Sequence, residues 1–290
     1  MIVEFFNNVA DLATNALTEE LNTSVKFGLV CPSHNGSHDD LDFELMKKSI
    51  NSLYDGFVAL VKVGFEFNAP LENLLNEARK VGLESEKAMF KATNGSNTHK
   101  GALFCIGLFC VAIGWLVGRG ESFSPQNCSK VIAKICKGIC KRELTNTLSP
   151  TTHGEKMYAK YSVSGARGSA ERGFLESVEN FLPIWKQIKT QTENYDLAKT
   201  RLLAYVVSKT DDTNILYRSD EKTLALAQNK CRDLYLDFDE QKAKETEDWF
   251  INLNISCGGS ADMLGLTLFL DGLEEFEINF KNNSPKRENK

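Results

Sequence analysis

At 290 residues the chain can bury a substantial core and form either one large domain or two small ones. Its 34 basic and 39 acidic residues give a formal net charge of −5, which argues against a broad electrostatic surface for nucleic acid. We therefore expect any bound anion to be held by a local cluster of basic side chains.

The N-terminal stretch MIVEFFNNVADLATNAL predicts an amphipathic helix. No basic residue precedes its apolar positions, and Glu4 and Asp11 interrupt it, so it does not have the pattern of a signal peptide. We therefore expect a cytoplasmic protein. The eight cysteines form no CxxC pair and are expected to be buried thiols in a reducing compartment. Cys136 and Cys140 could share a helix face as metal ligands, but no further ligand is spaced nearby.

Apolar residues recur at three- and four-residue spacing along most of the chain, which predicts helices. The clearest sets are Phe5/Val9/Leu12, Ile50/Leu53/Phe57/Leu60, Val131/Ile135/Ile139 and Leu197/Leu202/Tyr205. Period-two alternation is limited mainly to FEINF near the C-terminus, which is too short to imply a sheet. We predict an all-α protein, with one multi-helix domain over residues 1–280 and a polar tail at 281–290. The best boundary candidate, TNTLSPTTHGE near residue 150, has only the length of a loop.

A charge-free segment runs from Gly101 to Gly118. As a helix it would be about 27 Å long, just short of a typical bilayer core. It contains several glycines, lacks an aromatic belt and is surrounded by ordinary amphipathic segments. We therefore predict a central helix that is buried on all sides, in preference to a membrane span.

The loop before this segment is polar and ends in His99 and Lys100. Free N–H groups at a helix N-terminus, loop amides and a lysine together favour a phosphate. The alternative is that Asn97 or Thr98 only caps the helix. The segment by itself leaves both interpretations open.

Four more polar loops precede predicted helices. They are KFGLVCPSHNGSHDDLDF, SGARGSAERGF, SKTDDTNILYR and SCGGSADMLGLTLFL. Each could be a solvated loop or a helix cap, and Arg167 could simply pair with Glu171 four residues later. If the loops converge, however, they would form one polar pocket at helix N-termini, able to hold a polyphosphate, its metal and a catalytic carboxylate.

Taken together, five segments resemble the motifs of one family. GSNTHKGALFCIGL, GARGSAERGF, DTNILYR, SCGGSADMLGLTLFL and KFGLVCPSHNGSHDDLDF are similar to its patterns GVNTHKGAIFSLG, GARGEAESGF, DTNLLxR, SPGGSADLLAxTxFL and KPGLVDxxxxGSHxDMD. The family is triphosphoribosyl-dephospho-CoA synthase. The resemblance implies an all-helical enzyme that joins ATP to 3'-dephospho-CoA and releases adenine.

The resemblance further implies a product that is the prosthetic-group precursor for the acyl carrier subunit of citrate lyase or malonate decarboxylase. A holo-acyl-carrier-protein synthase would receive this product, and neither nucleic acid nor a membrane would be a partner. The oligomeric state stays open. Since the family converts a β-linked nucleotide into an α-linked product, a single inverting displacement is the simpler mechanism.

On this resemblance we assign roles to the matching residues. Glu171 or Asp262 is the predicted base for the 2'-hydroxyl proton. Asp39 and Asp212 are the predicted Mg²⁺ ligands. Substrate and phosphate binding is expected from Lys26, His38, Asn97, His99, Lys100, Arg167, Asn214 and Ser260.

The chain departs from the family patterns at four positions. Phe27 and Cys257 replace prolines, Cys31 replaces an aspartate and Ser169 replaces a glutamate. Loss of two acidic residues keeps a second hypothesis open, a nucleotide-binding homologue with lost or altered turnover. A third hypothesis, a membrane-associated helical protein, depends only on the segment from Gly101 to Gly118.

Overall fold

The computed structural model describes residues 2–145, 150 and 152–283. Over these residues the chain is helical and has no strand, so the all-α prediction is confirmed. The α-helices are α1 (Ile2–Leu21), α2 (Phe43–Glu66), α3 (Leu74–Ala92), α4 (Lys100–Val117), α5 (Pro125–Ile135), α6 (His153–Tyr161), α7 (Gly165–Glu171), α8 (Leu182–Gln191), α9 (Tyr195–Lys209), α10 (Thr213–Arg218), α11 (Glu221–Leu236), α12 (Glu240–Asn252) and α13 (Gly258–Asn283). Shorter elements are a 3₁₀ helix at Leu71–Asn73 and π-helical turns at Lys141–Thr145 and Ser177–Phe181.

Helix α4 is the centre of the bundle and packs against α1, α2, α3, α5, α7 and α13. Within the described residues it is the one helix long and apolar enough to cross a membrane, yet 72% of it is buried inside the protein. Its apolar side chains point in all directions because neighbouring helices surround it. The prediction of a buried central helix is confirmed.

Glycines set how closely α2 and α4 approach each other. A β-carbon on Gly64 would lie 2.0 Å from the carbonyl oxygen of Val111, and one on Gly114 would lie 1.9 Å from that of Val61. The two backbones are therefore in direct contact. This contact accounts for glycines within an otherwise apolar helix, where they cost helix propensity.

Helix α13 is the second buried element of the core and packs against α1, α4, α8 and α9. It contains FEINF as helix. It also extends to Asn283, past the predicted start of the tail at residue 281. Residues 284–290 of that tail, and residues 146–149 and 151 of the predicted boundary loop, lie outside the described residues.

Polar residues in the loops cap several helices, as the sequence predicts. Asp42 accepts a hydrogen bond of 2.8 Å from the Leu45 N–H and caps α2. Asp212 caps α10 in the same way. Helix α5 ends at Ile135, and Gly138 has a φ of 76°, so Cys136 and Cys140 do not share a helix face. All eight cysteines are free thiols.

Candidate active site

The five predicted segments meet at one cavity of about 1100 Å³. The N-terminal ends of α4, α6, α7, α10 and α13 border it together with the loop between α1 and α2. Its volume is slightly above the range for small-molecule sites, about 300–1,000 Å³. Nine of the predicted site residues line the cavity: Lys26, His38, Asn97, His99, Lys100, Arg167, Asp212, Asn214 and Asp262.

Asp262 lies near the start of α13 and faces the first turn of α4. Its carboxylate accepts a hydrogen bond from the Ala102 N–H and is packed against Gly101. Burial raises the pKa of Asp262 well above its usual range, and the carboxylates of Glu20 and Asp212 raise it further. A carboxyl group with a raised pKa at the wall of a cavity is a stronger base than an ordinary aspartate, which suits it to accept a proton.

The N-terminus of α4 is therefore occupied in part by a carboxylate. His99 precedes this helix without capping it through its side chain. The Nδ1 atom of His99 lies 2.8 Å from the Ser49 hydroxyl, and its buried Nε2 atom has no hydrogen-bond partner within the described chain. Asn97 is exposed at the cavity wall.

A buried ion pair forms the floor of the cavity. The Nζ atom of Lys26 lies 2.6 Å from Oε1 of Glu20 and donates a 3.0 Å hydrogen bond to the carbonyl of Val30. Both side chains are almost fully buried, at 1% and 5% exposure. Since removal of one charge would leave the other unpaired in the interior, the two residues form a unit.

The other predicted phosphate-binding cations are also paired with carboxylates. Lys100 donates a 2.6 Å hydrogen bond to Glu86, and Arg167 donates one of 2.8 Å to Glu143. Arg167 also lies 3.8 Å from Glu155. The alternative pairing of Arg167 with Glu171 does not occur among these contacts. The guanidinium is instead held beside the cavity by Glu143, which precedes α6, and by Glu155 in α6.

Asp212 joins the starts of α10 and α13. One carboxylate oxygen accepts hydrogen bonds from the N–H groups of Asn214 and Ile215 at 2.9 and 3.3 Å. The other accepts from the N–H and hydroxyl of Ser260 at 2.7 and 2.8 Å. These four donors fill the acceptor sites of a carboxylate. Ser260 is fully buried behind the cavity wall.

His38 is held in the loop before α2 by two partners. Its Nε2 atom lies 3.0 Å from the Ser256 hydroxyl, and its Nδ1 atom lies 3.2 Å from the guanidinium of Arg218. Burial, followed by the charge of Arg218, lowers the pKa of His38 to about 4. The ring is thus neutral at physiological pH and serves as a hydrogen-bonding group.

Glu171 lies apart from the large cavity. Its carboxylate accepts hydrogen bonds from the N–H groups of Gly138 and Cys140 at 2.6 and 3.4 Å, and it lines a smaller cleft. Hydrogen bonding lowers the pKa of Glu171, with the Cys140 side chain as the largest cause. A carboxylate with a lowered pKa and fixed backbone partners is a weaker base, so this placement favours Asp262 over Glu171 in that role.

The structure does not bring the two predicted magnesium ligands together at the cavity. Asp39 is exposed and is not part of the cavity wall, while all four acceptor sites of Asp212 are filled. Elsewhere in the described residues, Cys31, His34 and Glu247 bring potential ligand atoms within 4.8 Å of one another. His34, however, already accepts a hydrogen bond from the Gly36 N–H and faces Glu247 at 3.4 Å.

Several cavity residues are absent from the sequence-based assignment. Glu20 could have been suspected, because it follows Ala16 and Leu17 by four and three residues on the buried face of α1. Arg218 ends the DTNILYR motif and donates to the carbonyl of Ser37 at 2.7 Å. Tyr217 and His153 stack at the cavity with ring centroids 3.7 Å apart, and no local pattern announces this pair.

The four departures from the family patterns differ in their position. Ser169 lines the cavity, so the glutamate of the pattern would add a carboxylate to the wall. Cys31 and Cys257 are buried thiols outside it. Phe27 has a φ of 50°, a backbone conformation that the ring of proline excludes, so a proline here would need a different local backbone. The Phe27 ring packs against Phe250.

The sequence profile of the CitG family, described as ATP:dephospho-CoA triphosphoribosyl transferase, matches residues 6–280. The chain belongs to this family. Its members are transferases, and the match includes all five segments at the cavity. No solved structure gives a significant match to the chain.

Individual members of the family resemble the chain over most of its length. A probable 2-(5''-triphosphoribosyl)-3'-dephosphocoenzyme-A synthase of Pectobacterium carotovorum subsp. carotovorum is 36% identical over 258 residues, 88% of this chain and 86% of the relative. The synthase of that name from Pectobacterium atrosepticum is 34% identical with the same coverage. A probable synthase from Streptococcus mutans is 32% identical over 91% of this chain and 95% of its own length.

Proposed function

We propose that the protein transfers the 5'-triphosphoribosyl group of ATP to the 2'-hydroxyl of 3'-dephospho-CoA and releases adenine. The proposal is supported by membership of the transferase family and, above all, by the convergence of five separated motifs on one cavity. The cavity offers Asp262 as a base and several cations for phosphate. Its volume suits two substrates that must react with each other.

In this reaction the 2'-hydroxyl oxygen of the acceptor attacks C1' of the ATP ribose. The new C1'–O bond forms as the C1'–N9 bond breaks, and adenine leaves with that electron pair and takes up a proton from solvent. Asp262 accepts the hydroxyl proton. The raised pKa of this carboxyl makes it a stronger base than an ordinary aspartate, and Gly101 and Ala102 hold it in place.

The cations of the cavity bind the triphosphate, which the reaction leaves intact. Arg172, Lys209 and Arg218 also line the cavity. Lys100 and Arg167 exchange their carboxylate partners for phosphate oxygens, while the buried Lys26 stays paired with Glu20. Magnesium would accompany ATP in solution, and no ligand pair of the chain is assigned to it.

The product is the prosthetic-group precursor for the acyl carrier subunit of citrate lyase or malonate decarboxylase, and a holo-acyl-carrier-protein synthase is its next user. We further propose that the reaction takes place in the cytoplasm. No residue of the cavity distinguishes the two carrier proteins, because the carrier takes no part in this step.

The direct test incubates the purified protein with ATP, MgCl₂ and 3'-dephospho-CoA, and follows free adenine by chromatography and the CoA species by mass. We expect one adenine per triphosphoribosyl adduct, and much slower formation of both products by Asp262→Asn. Adenine without adduct would instead indicate a nucleosidase.

The second candidate is a binding protein without turnover, and the observation that favours it is Ser169 on the cavity wall in place of glutamate. Saturable ATP binding with neither product would support this candidate and contradict the transferase. Ser169→Glu would then be expected to restore turnover.

A further inference from the structure

His99 is fixed beside the cavity by a chain of hydroxyl groups. Its Nδ1 atom is 2.8 Å from Oγ of Ser49, which in turn is 2.6 Å from Oγ1 of Thr98. Ser49 is fully buried, and His99 is only 4% exposed. The ring therefore has one orientation, and this orientation is set by the protein.

The opposite edge of the ring is unsatisfied. The Nε2 atom of His99 is buried, and it has no hydrogen-bond partner among the described residues although the residue lines the cavity. Buried polar atoms are rarely left without a partner, because their desolvation is then uncompensated. A ligand bound in the cavity could supply the partner that this atom lacks.

The His99 ring carries no charge that would attract an anion to Nε2. Burial, with the nearby charge of Lys26, lowers the pKa of His99 to about 3, so the ring is neutral and brings no charge to a phosphate. The carboxyl groups of Glu20 and Asp262 lie close to each other at this part of the wall, and Lys26 is already paired with Glu20. A neutral hydroxyl group fits these surroundings, whereas a phosphate would be repelled.

Asp262 and His99 both lie at the first turn of α4. Gly101, in contact with the Asp262 carboxylate, is two residues from His99 at the start of α4. If Asp262 accepts the proton of a ribose 2'-hydroxyl, the next group along the ring is the 3'-hydroxyl. In 3'-dephospho-CoA this hydroxyl is free, and in CoA it carries a phosphate.

We propose that Nε2 of His99 forms a hydrogen bond with the 3'-hydroxyl of the acceptor ribose, and that His99 with Glu20 and Asp262 thereby selects 3'-dephospho-CoA over CoA. This inference rests on the proposed function. It assigns His99 to the acceptor sugar and not to the triphosphate, and it makes Ser49 a positioning residue for the ring.

The test compares 3'-dephospho-CoA, its 3'-deoxy analogue and CoA as acceptors. For the wild-type protein we expect kcat/KM to fall by about 10- to 100-fold with the 3'-deoxy analogue, and by at least as much with CoA. For His99→Ala we expect a similar loss with 3'-dephospho-CoA and no further loss with the 3'-deoxy analogue. The two losses are not additive because both remove the same hydrogen bond.

Three further variants separate recognition from folding. His99→Gln offers an amide near the position of Nε2 and should recover part of the discrimination, while Ser49→Ala should lose part of it. His34→Ala is the matched control, because His34 is a loop histidine away from the cavity wall, and it should keep the wild-type ratio between the two acceptors. Thermal unfolding and ATP binding show which variants are folded.

Two results would overturn the inference. One is equal use of 3'-dephospho-CoA and the 3'-deoxy analogue by the wild-type protein, and the other is an unchanged acceptor ratio in folded His99→Ala. Calorimetric binding of the same acceptors provides a readout that needs no turnover. Wild-type protein that forms no adduct but binds 3'-dephospho-CoA more tightly than the 3'-deoxy analogue would refute the proposed function and retain the recognition by His99.

Discussion

Gly101 and Asp262 are in direct contact: a β-carbon built on Gly101 would lie 1.9 Å from Oδ2 of Asp262. Gly101 lies at the start of a regular helix, so it is not required for an unusual backbone conformation. It is required because the Asp262 carboxylate approaches its backbone closely. We expect Gly101→Ala to fold and to lose about a hundredfold in kcat, because a displacement of about 1 Å at a reacting group has such an effect. Adenine release measures the loss, and circular dichroism verifies the helix content. Full activity would mean that the position of Asp262 is not critical.

A comparison of Asp262→Asn with Glu171→Gln tests which carboxylate is the base. We expect Asp262→Asn to lower kcat by about 10²- to 10⁴-fold, since the amide cannot accept the hydroxyl proton. Glu171→Gln should keep kcat within about tenfold, because Glu171 only binds backbone N–H groups of the turn at Gly138. The reverse ranking would return the role to Glu171.

The pH dependence of turnover follows from the same carboxyl group. Because burial raises the pKa of Asp262, a large fraction of the carboxyl is protonated at pH values where an ordinary aspartate is ionised. Only the ionised form accepts a proton, so log kcat/KM should rise with pH over a range well above that of an ordinary aspartate. A profile with its acid limb near pH 4 would contradict this assignment.

The ionisation of Asp262 should lower the stability of the protein as the pH rises, whereas it raises turnover. A pKa raised in the folded state means that folding favours the protonated carboxyl, and this contribution is lost as the pH rises through the folded-state pKa. Asp262→Asn should therefore be more stable than wild type at pH 8, by about 1 kcal/mol or more, with little difference at pH 4. Urea unfolding at both pH values measures the difference. Equal stability at pH 8 would show that the carboxyl is not strained when ionised.

Asp212 is expected to matter for assembly of the site. In Asp212→Asn the new NH₂ group faces the N–H and hydroxyl of Ser260, which leaves a buried donor without an acceptor. We expect the free energy of unfolding to fall by about 2–4 kcal/mol. Asp211→Asn is the matched control, since Asp211 is exposed and should change stability by no more than about 0.5 kcal/mol. A metal-dependent loss of ATP binding at unchanged stability would instead support a ligand role for Asp212.

The sequence predicts the helices well because their signals are local. Apolar spacing and polar caps such as Asp42 lie within a few residues of the element they define. The motifs also indicate which loops meet, because residues from all five motif segments line the cavity. The glycines of α4 and its missing aromatic belt predict a core helix, and the structure buries it inside the bundle.

Partners distant along the chain are the part that the sequence does not reveal. Arg167 has a candidate partner four residues away in Glu171, yet the fold gives it Glu143, 24 residues earlier. Asp212 carries no sign in its own segment that it will bind Ser260, 48 residues later. Such pairings depend on how helices are arranged in space, and local propensity contains no information about that arrangement.

The paired cations have a consequence for how tightly a polyphosphate can be held. Glu86 and Glu143 act as internal counterions that compete with the ligand for Lys100 and Arg167. Binding is then an ion exchange, and its net free energy is the difference between two similar attractions. A product that keeps all three phosphates can therefore be displaced when these carboxylates return to their cations, which lets the protein turn over a highly charged molecule without being trapped by it.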